Sequence, residues 1–121
     1  CLVEAESSRN TKIKGGPNRN GSFDWDLFQI NDKFWCKVDS VGGDCNIKCD
    51  SKFSIVWSNT SFRGIFKWFF IYFSKALITD DITVACTCAN KVYKRHGFGN
   101  WYGWRDKCKG KTLPDLSSCD V

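Results

Sequence analysis

The sequence predicts a disulfide-stapled α+β domain. Three observations point that way: eight cysteines within 121 residues, helical apolar spacing near both ends, and an alternating aromatic stretch at 22–31. The length suits a single domain over 1–121 with one moderate core. No linker interrupts it, since only two prolines occur and the Gly-Gly pairs at 15–16 and 42–43 read as turns.

The cysteines stand at 1, 36, 45, 49, 86, 88, 108 and 119, without paired CxxC units, and His96 is the sole histidine. Zinc needs clustered pairs at set distances, so disulfides in an oxidising compartment are the expected use, with no metal site. Count alone leaves 105 full pairings open. The formal charge of +5, from 18 basic and 13 acidic residues, favours anionic partners such as bacterial walls or acidic polysaccharide. The basic residues are scattered except at 91–95 and 107–111, so a solvated basic surface is the plainer reading and nucleic acid is not expected. The chain carries no signal peptide and no methionine, so export is inferred from cysteines alone, and the real N-terminus is expected to be missing.

Residues 1–8 favour a helix, with Leu2 and Glu6 on one face at i, i+4 spacing. That sets a carboxylate beside an apolar stripe. Residues 9–21 hold turn signals, and Asn20-Gly21 suits a hairpin turn before SFDWDLFQIN (22–31), which reads as one strand. From 79 to 94 the helical period returns. Thr79 is the expected N-cap, Asp80 and Asp81 lie in the first turn, and Ile82, Ala85, Cys86, Ala89 and Tyr93 form the apolar face. Gly97 and Gly99 stop it, and 100–108 suits a short helix with Trp101 and Trp104 three apart.

Residues 51–75 stand apart. Nine of the chain's 19 aromatics lie there, yet Arg63 and Lys67 interrupt the apolar run. It falls short of the ~20 apolar residues that span a bilayer, so stable membrane insertion is not expected. Ser51-Lys52-Phe53 can be encoded by a string containing GTAAGT, and residues 69–74 by a pyrimidine-rich tract followed by AG. The stretch is therefore expected to be an insertion from translated intron. A spliced transcript that keeps these codons would remove the idea.

CLVEAES (1–7), NRNGSFDWDLFQIN (18–31), Trp35-Cys36, Cys45-Asn46, LITDDIT (77–83), KVYKRHGF (91–98), WYGW (101–104) and LPDLSSC (113–119) resemble, in order, stretches of c-type (chicken-type) lysozymes, the secreted insect members above all. The resemblance covers nearly all the chain except 51–75. It implies the lysozyme-like α+β fold: a helical part, a small antiparallel sheet, and disulfides Cys1–Cys108, Cys36–Cys49 and Cys45–Cys88. The family's first helix and one cysteine are then missing, Cys119 lacks its partner, and Cys86 is extra.

The implied activity is cleavage of the β-1,4 bond between N-acetylmuramic acid and N-acetylglucosamine in peptidoglycan. It would be cofactor-free and retaining, and would serve antibacterial defence or digestion. Glycoside hydrolysis needs one protonated and one ionised carboxyl group, and lysozymes are themselves the type case of this logic. By resemblance Glu6 is the acid and Asp24 the nucleophile or stabiliser, a pair expected about 5–5.5 Å apart. Trp101 corresponds to the indole walling the acid's pocket. Asn20, Gln29, Asn31, Phe34, Trp35, Asn100 and Trp101 match positions lining or bordering the sugar cleft. Core packing is the rival role for Phe34 and Trp35. Peptidoglycan and chitin-like oligosaccharides are the expected ligands, and a monomer the expected state.

One departure concerns the site. Asp26 stands where the family usually has glycine, and residues two apart on a strand share a face, so it is expected beside Asp24. Asp80 and Asp81 resemble acids of the α-lactalbumin calcium loop, but helix capping accounts for them. A non-catalytic sugar- or wall-binding relative, or an inactive gene fragment, is the rival function.

Overall fold

The computed structural model describes residues 1–50, 76–113 and 115. The aromatic stretch 51–75 and Cys119 lie outside the described residues. Helix α1 spans Leu2–Ser7, strands β1, β2 and β3 span Lys14–Gly15, Asp24–Trp25 and Ile30–Asn31, and helices α2 and α3 span Thr83–His96 and Tyr102–Lys107. The strands form one antiparallel sheet in the order β1-β2-β3. This is the lysozyme-like α+β arrangement that the sequence predicts.

A six-residue helix is marginal alone in water, so tertiary contacts must hold α1 in place. The Cys1–Cys108 disulfide ties its start to the end of α3, on which it packs. Within α1 the buried Ser7 hydroxyl donates back to the Val3 carbonyl at 3.0 Å. Ser8, in the left-handed region at φ 50°, ends the helix.

The expected single strand at 22–31 is in fact two short strands and a turn. Asp26 and Gln29 have φ values of 66° and 51°, which no continuous strand accommodates. The chain reverses between them, and the register sets Trp25 opposite Ile30 and Asp24 opposite Asn31. Trp25 and Ile30 are buried in the core. Their neighbours Asp24 and Asn31 therefore share the other face, as alternation requires. Hydrophobic alternation is the same for one strand as for a tight hairpin, so the pattern alone could not separate them. Asn18 to Gly21 form the turn expected near Asn20-Gly21, with the Gly21 N–H donating to the Asn18 carbonyl at 2.9 Å.

Helix α2 starts later than its sequence suggests. Thr79 is not the cap. Its hydroxyl donates to the Asp81 carbonyl, while the Asp81 carboxylate accepts the Thr83 N–H at 2.9 Å. Those bonds from Thr83 hold the exposed Asp81 carboxyl below its ordinary value. Asp80 pairs instead with Lys12 at 3.0 Å. The buried face is Ala85, Cys88, Ala89 and Val92, leaving the expected core positions Ile82, Cys86 and Tyr93 exposed. The Cys45–Cys88 disulfide turns this face toward the 42–50 loop. Arg95 also pairs with Asp44 of that loop. Gly97, at φ 64°, caps the helix end through its N–H to the Tyr93 carbonyl.

Beyond Gly97, a 3₁₀ turn at Phe98–Asn100 leads into α3, and the Phe98 ring stacks on Trp104 at 5.4 Å. The core joins Trp25, Ile30, Trp35, Ile47, Leu77, Val92 and Trp101 with Cys36, Cys49 and Cys88. Cys36–Cys49 closes the third bridge, so the three pairs are those the family resemblance implies. Among the described residues, no helix is long and apolar enough to cross a membrane.

Candidate active site

A cleft of about 470 Å³ opens between the sheet and the α2–α3 side of the molecule. That volume suits a small-molecule or oligosaccharide site. All seven residues expected to contact sugar line it: Asn20, Gln29, Asn31, Phe34, Trp35, Asn100 and Trp101. Asp24 lines it too. The structure adds Asn18, Arg19 and Tyr102, which sequence reasoning did not single out.

Asp24 sits at the cleft because β2 pairs with β3 in the register above. Its Oδ1 accepts the Asn31 amide at 2.7 Å and its Oδ2 accepts the Asn18 amide at 2.9 Å. The Ser22 hydroxyl links the amides of Asn18 and Asn31 and donates to Asn20 at 2.7 Å. An ionised carboxylate is acceptor-only, and two amide donors match it. Asn18 was missed because an asparagine in a turn carries no mark of the carboxylate it will meet six residues on.

Glu6 occupies a different environment. Its carboxyl group does not line the cleft itself; Oε1 accepts the N–H of Gly103, next to the lining residue Tyr102, at 2.7 Å. Burial pushes the Glu6 pKa above its ordinary 4.5, and the negative charge of Asp24 adds to the rise. Bonds from the Gly103 and Trp104 backbones, and the charge of Lys107, oppose it. The two carboxyl groups therefore share one electrostatic neighbourhood in unlike settings.

Gly103 was missed as well, although glycine inside a helical stretch often has a packing reason. A Cβ there would meet Glu6 Oε1 at 2.8 Å and the Ala5 carbonyl oxygen at 3.0 Å. Only a bare backbone lets α1 and α3 come this near.

The aromatic lining divides by exposure. Phe34 is 56% exposed and Tyr102 74%, although the Arg105 guanidinium covers one face of Tyr102 at 3.9 Å and Lys33 lies 5.4 Å from the Phe34 ring centre. Trp35 and Trp101 are each 4% exposed and belong to the core, offering the cleft only an edge. The Trp101 indole N–H donates to the Phe28 carbonyl at 2.7 Å, which ties α3 to the turn between β2 and β3.

The expected side-by-side arrangement of Asp26 and Asp24 does not occur. Asp26 belongs to the turn, is 1% exposed, and accepts the Phe28 N–H through Oδ1. A positive φ at this residue ends the strand alternation on which that expectation rested.

Fold and cleft together define a glycoside hydrolase. The chain belongs to the C-type lysozyme/alpha-lactalbumin family, which it matches over residues 1–55 and 71–119. It is 50% identical to a lysozyme of Galleria mellonella, over 98% of this chain and 78% of that protein. A lysozyme of Bombyx mori is 49% identical, over 98% of this chain and 68% of its own length. The crystal structure of lysozyme from Equus asinus superposes with a TM-score of 0.69 at 32% identity, covering all of this chain and 78% of that one. This degree of likeness carries lysozyme activity, and with it a peptidoglycan substrate.

Proposed function

We propose that the protein cleaves peptidoglycan by a retaining mechanism in which Glu6 is the proton donor and Asp24 the nucleophile or electrostatic stabiliser. The observation that carries this is the contrast between the two carboxyl groups. Burial favours the neutral form of Glu6, while Asp24 takes two amide donors at the wall of a sugar-sized cleft. Such a pair holds a proton for the leaving oxygen and a negative charge for the oxocarbenium-like centre. Phe34 offers an exposed ring for the apolar face of a sugar. Gln29 and Asn100 supply amides for hydroxyl and N-acetyl groups, while the Asn31 amide is held by Asp24 and Ser22. The three disulfides support work in an oxidising, extracellular setting.

The test is hydrolysis of purified peptidoglycan, followed by new reducing ends and by NMR of the product anomer. A retaining pair releases the β-anomer first. Asp24→Asn keeps the shape and should lower kcat about 10²–10³-fold, with binding of N-acetylglucosamine oligomers little changed. Full activity in that variant, or inverted product, would overturn the assignment.

Gly103→Ala probes the acid's placement. The added methyl has no space beside Glu6 Oε1 and the Ala5 carbonyl, so α1 or the carboxyl group must shift. A displacement of about 1 Å near reacting groups costs on the order of 10²-fold in rate. Turnover should fall by that order while circular dichroism stays native. An unchanged kcat would show that the Gly103 contact does not position the acid.

A further inference from the structure

Asp26 has no part in the chemistry above, yet its carboxyl group is among the most buried polar groups of the molecule. Among the described residues, Asp26 Oδ2 and Asp50 Oδ1 are buried side-chain oxygens without a hydrogen bond. Asp50 lies 3.7 Å from the Lys48 ammonium. Among the described residues, no cation is paired with Asp26. A buried anion with one donor and one bare oxygen is costly, whereas the neutral acid carries less charge to desolvate.

The backbone around Asp26 explains why its state matters. Its N–H donates to the Ile13 carbonyl, its Oδ1 takes the Phe28 N–H, and its carbonyl accepts the Gln29 N–H and the Gln29 side-chain amide. Phe28 in turn holds the Trp101 indole. Gln29 and Trp101 both line the cleft. One side chain thus closes the turn that fixes two parts of the sugar site.

We propose that Asp26 is a positioning residue for the cleft: its neutral carboxyl group keeps the turn closed on Trp101, and its ionisation opens the turn and weakens sugar binding. Burial pushes the Asp26 pKa up to about 7, against the lowering effect of the Phe28 N–H. The group is therefore neutral in acid and charged in mild alkali. Ionisable groups on the surrounding elements are engaged elsewhere. Lys14 of β1 lies over the rings of Phe23 and Trp25, and Asp24 takes its two amides. Asp32, after β3, accepts the Phe23 N–H and the Trp25 indole, and Glu6 of α1 accepts Gly103. None of these groups contributes to the Asp26 shift. The substitution of a glycine-favouring position by aspartate thus adds a pH response to the cleft.

This inference rests on the sugar-cleft reading, so its test has two readouts. The first needs no ligand: hydrogen exchange of the Trp101 indole N–H, assigned by its loss in Trp101→Phe and corrected for intrinsic base catalysis. In the 121-residue chain its protection should fall about tenfold from pH 5 to pH 8, and in Asp26→Asn it should stay constant. The second is affinity for the N-acetylglucosamine trimer in a Glu6→Gln background, which removes hydrolysis and the titration of the acid. Affinity should fall by a similar factor over the same range, and lose that dependence with Asp26→Asn. Asp26→Gly serves where the amide variant does not fold, since glycine adopts the positive φ freely. Equal pH dependence with and without Asp26 in the exchange experiment overturns the proposal. Normal exchange behaviour without trimer binding at either pH would sink the cleft reading instead, and leave the Asp26 lock standing.

Discussion

Glu6→Gln is expected to abolish peptidoglycan hydrolysis, with kcat falling about 10³-fold or more, while the protein stays folded and still binds oligosaccharide. The amide matches the carboxyl group in shape and keeps an oxygen to accept the Gly103 N–H, so the α1–α3 contact survives. What it cannot do is give up a proton. Because the folded-state pKa lies above the ordinary 4.5, the ionised form of Glu6 is the disfavoured one. Stability from this group is therefore fully present below the unfolded value and is lost as pH rises through the folded one. The activity of the native enzyme declines over the same rise, since the acid loses its proton. The variant lacks that stability loss, so its melting temperature should hold up better than the parent's on moving from acid to neutral pH. Turbidity clearing, trimer titration and thermal melts at several pH values check the three parts. Hydrolysis persisting in Glu6→Gln would remove Glu6 as the acid. Lysis of cells without sugar cleavage would instead belong to membrane disruption by a cationic protein.

Much of this arrangement was legible before any coordinates. Local signals were enough for α1, for α3 and for the glycine stop at Gly97, because each rests on spacing and backbone freedom within a few residues. Motif resemblance supplied the three disulfide pairs and the cleft residues, which no spacing could have given. What was not legible depended on turns and contacts that apolar spacing does not encode. The exposed side of α2 was misjudged because Cys88, through its bond to Cys45, sets which face turns inward. Thr79 looked like a cap because its chemistry fits one, but the helix begins where Asp81 meets Thr83. The role of Asn18 depends on the hairpin folding it back onto Asp24. Asp26 was misplaced for a related reason: alternation assumes a strand, and two residues with positive φ end it.

The composition hints at a second structural dependence, since the proton donor sits on the least self-sufficient helix. Replacing both Cys1 and Cys108 by serine should destabilise the fold by about 4–5 kcal/mol, the chain-entropy expectation for the largest closed loop. The two cysteines are 107 residues apart, against 43 for Cys45–Cys88 and 13 for Cys36–Cys49. By the same relation the other bridges are worth about 4 and about 3 kcal/mol, which sets an order that urea denaturation can check. Native domains retain only about 5–15 kcal/mol in total, so the first loss takes a large share. Its consequence for catalysis should exceed that share. Helix α1 has six residues and no side-chain cap, and the bridge anchors its N-cap residue to the residue that ends α3. Freed of it, α1 frays, and Glu6 loses the Gly103 contact that holds its carboxyl group. Hydrolysis should therefore fall at urea concentrations where circular dichroism still reports native sheet and α2. Loss of activity and of structure at one common midpoint would mean that α1 is held by its packing on α3 rather than by the disulfide.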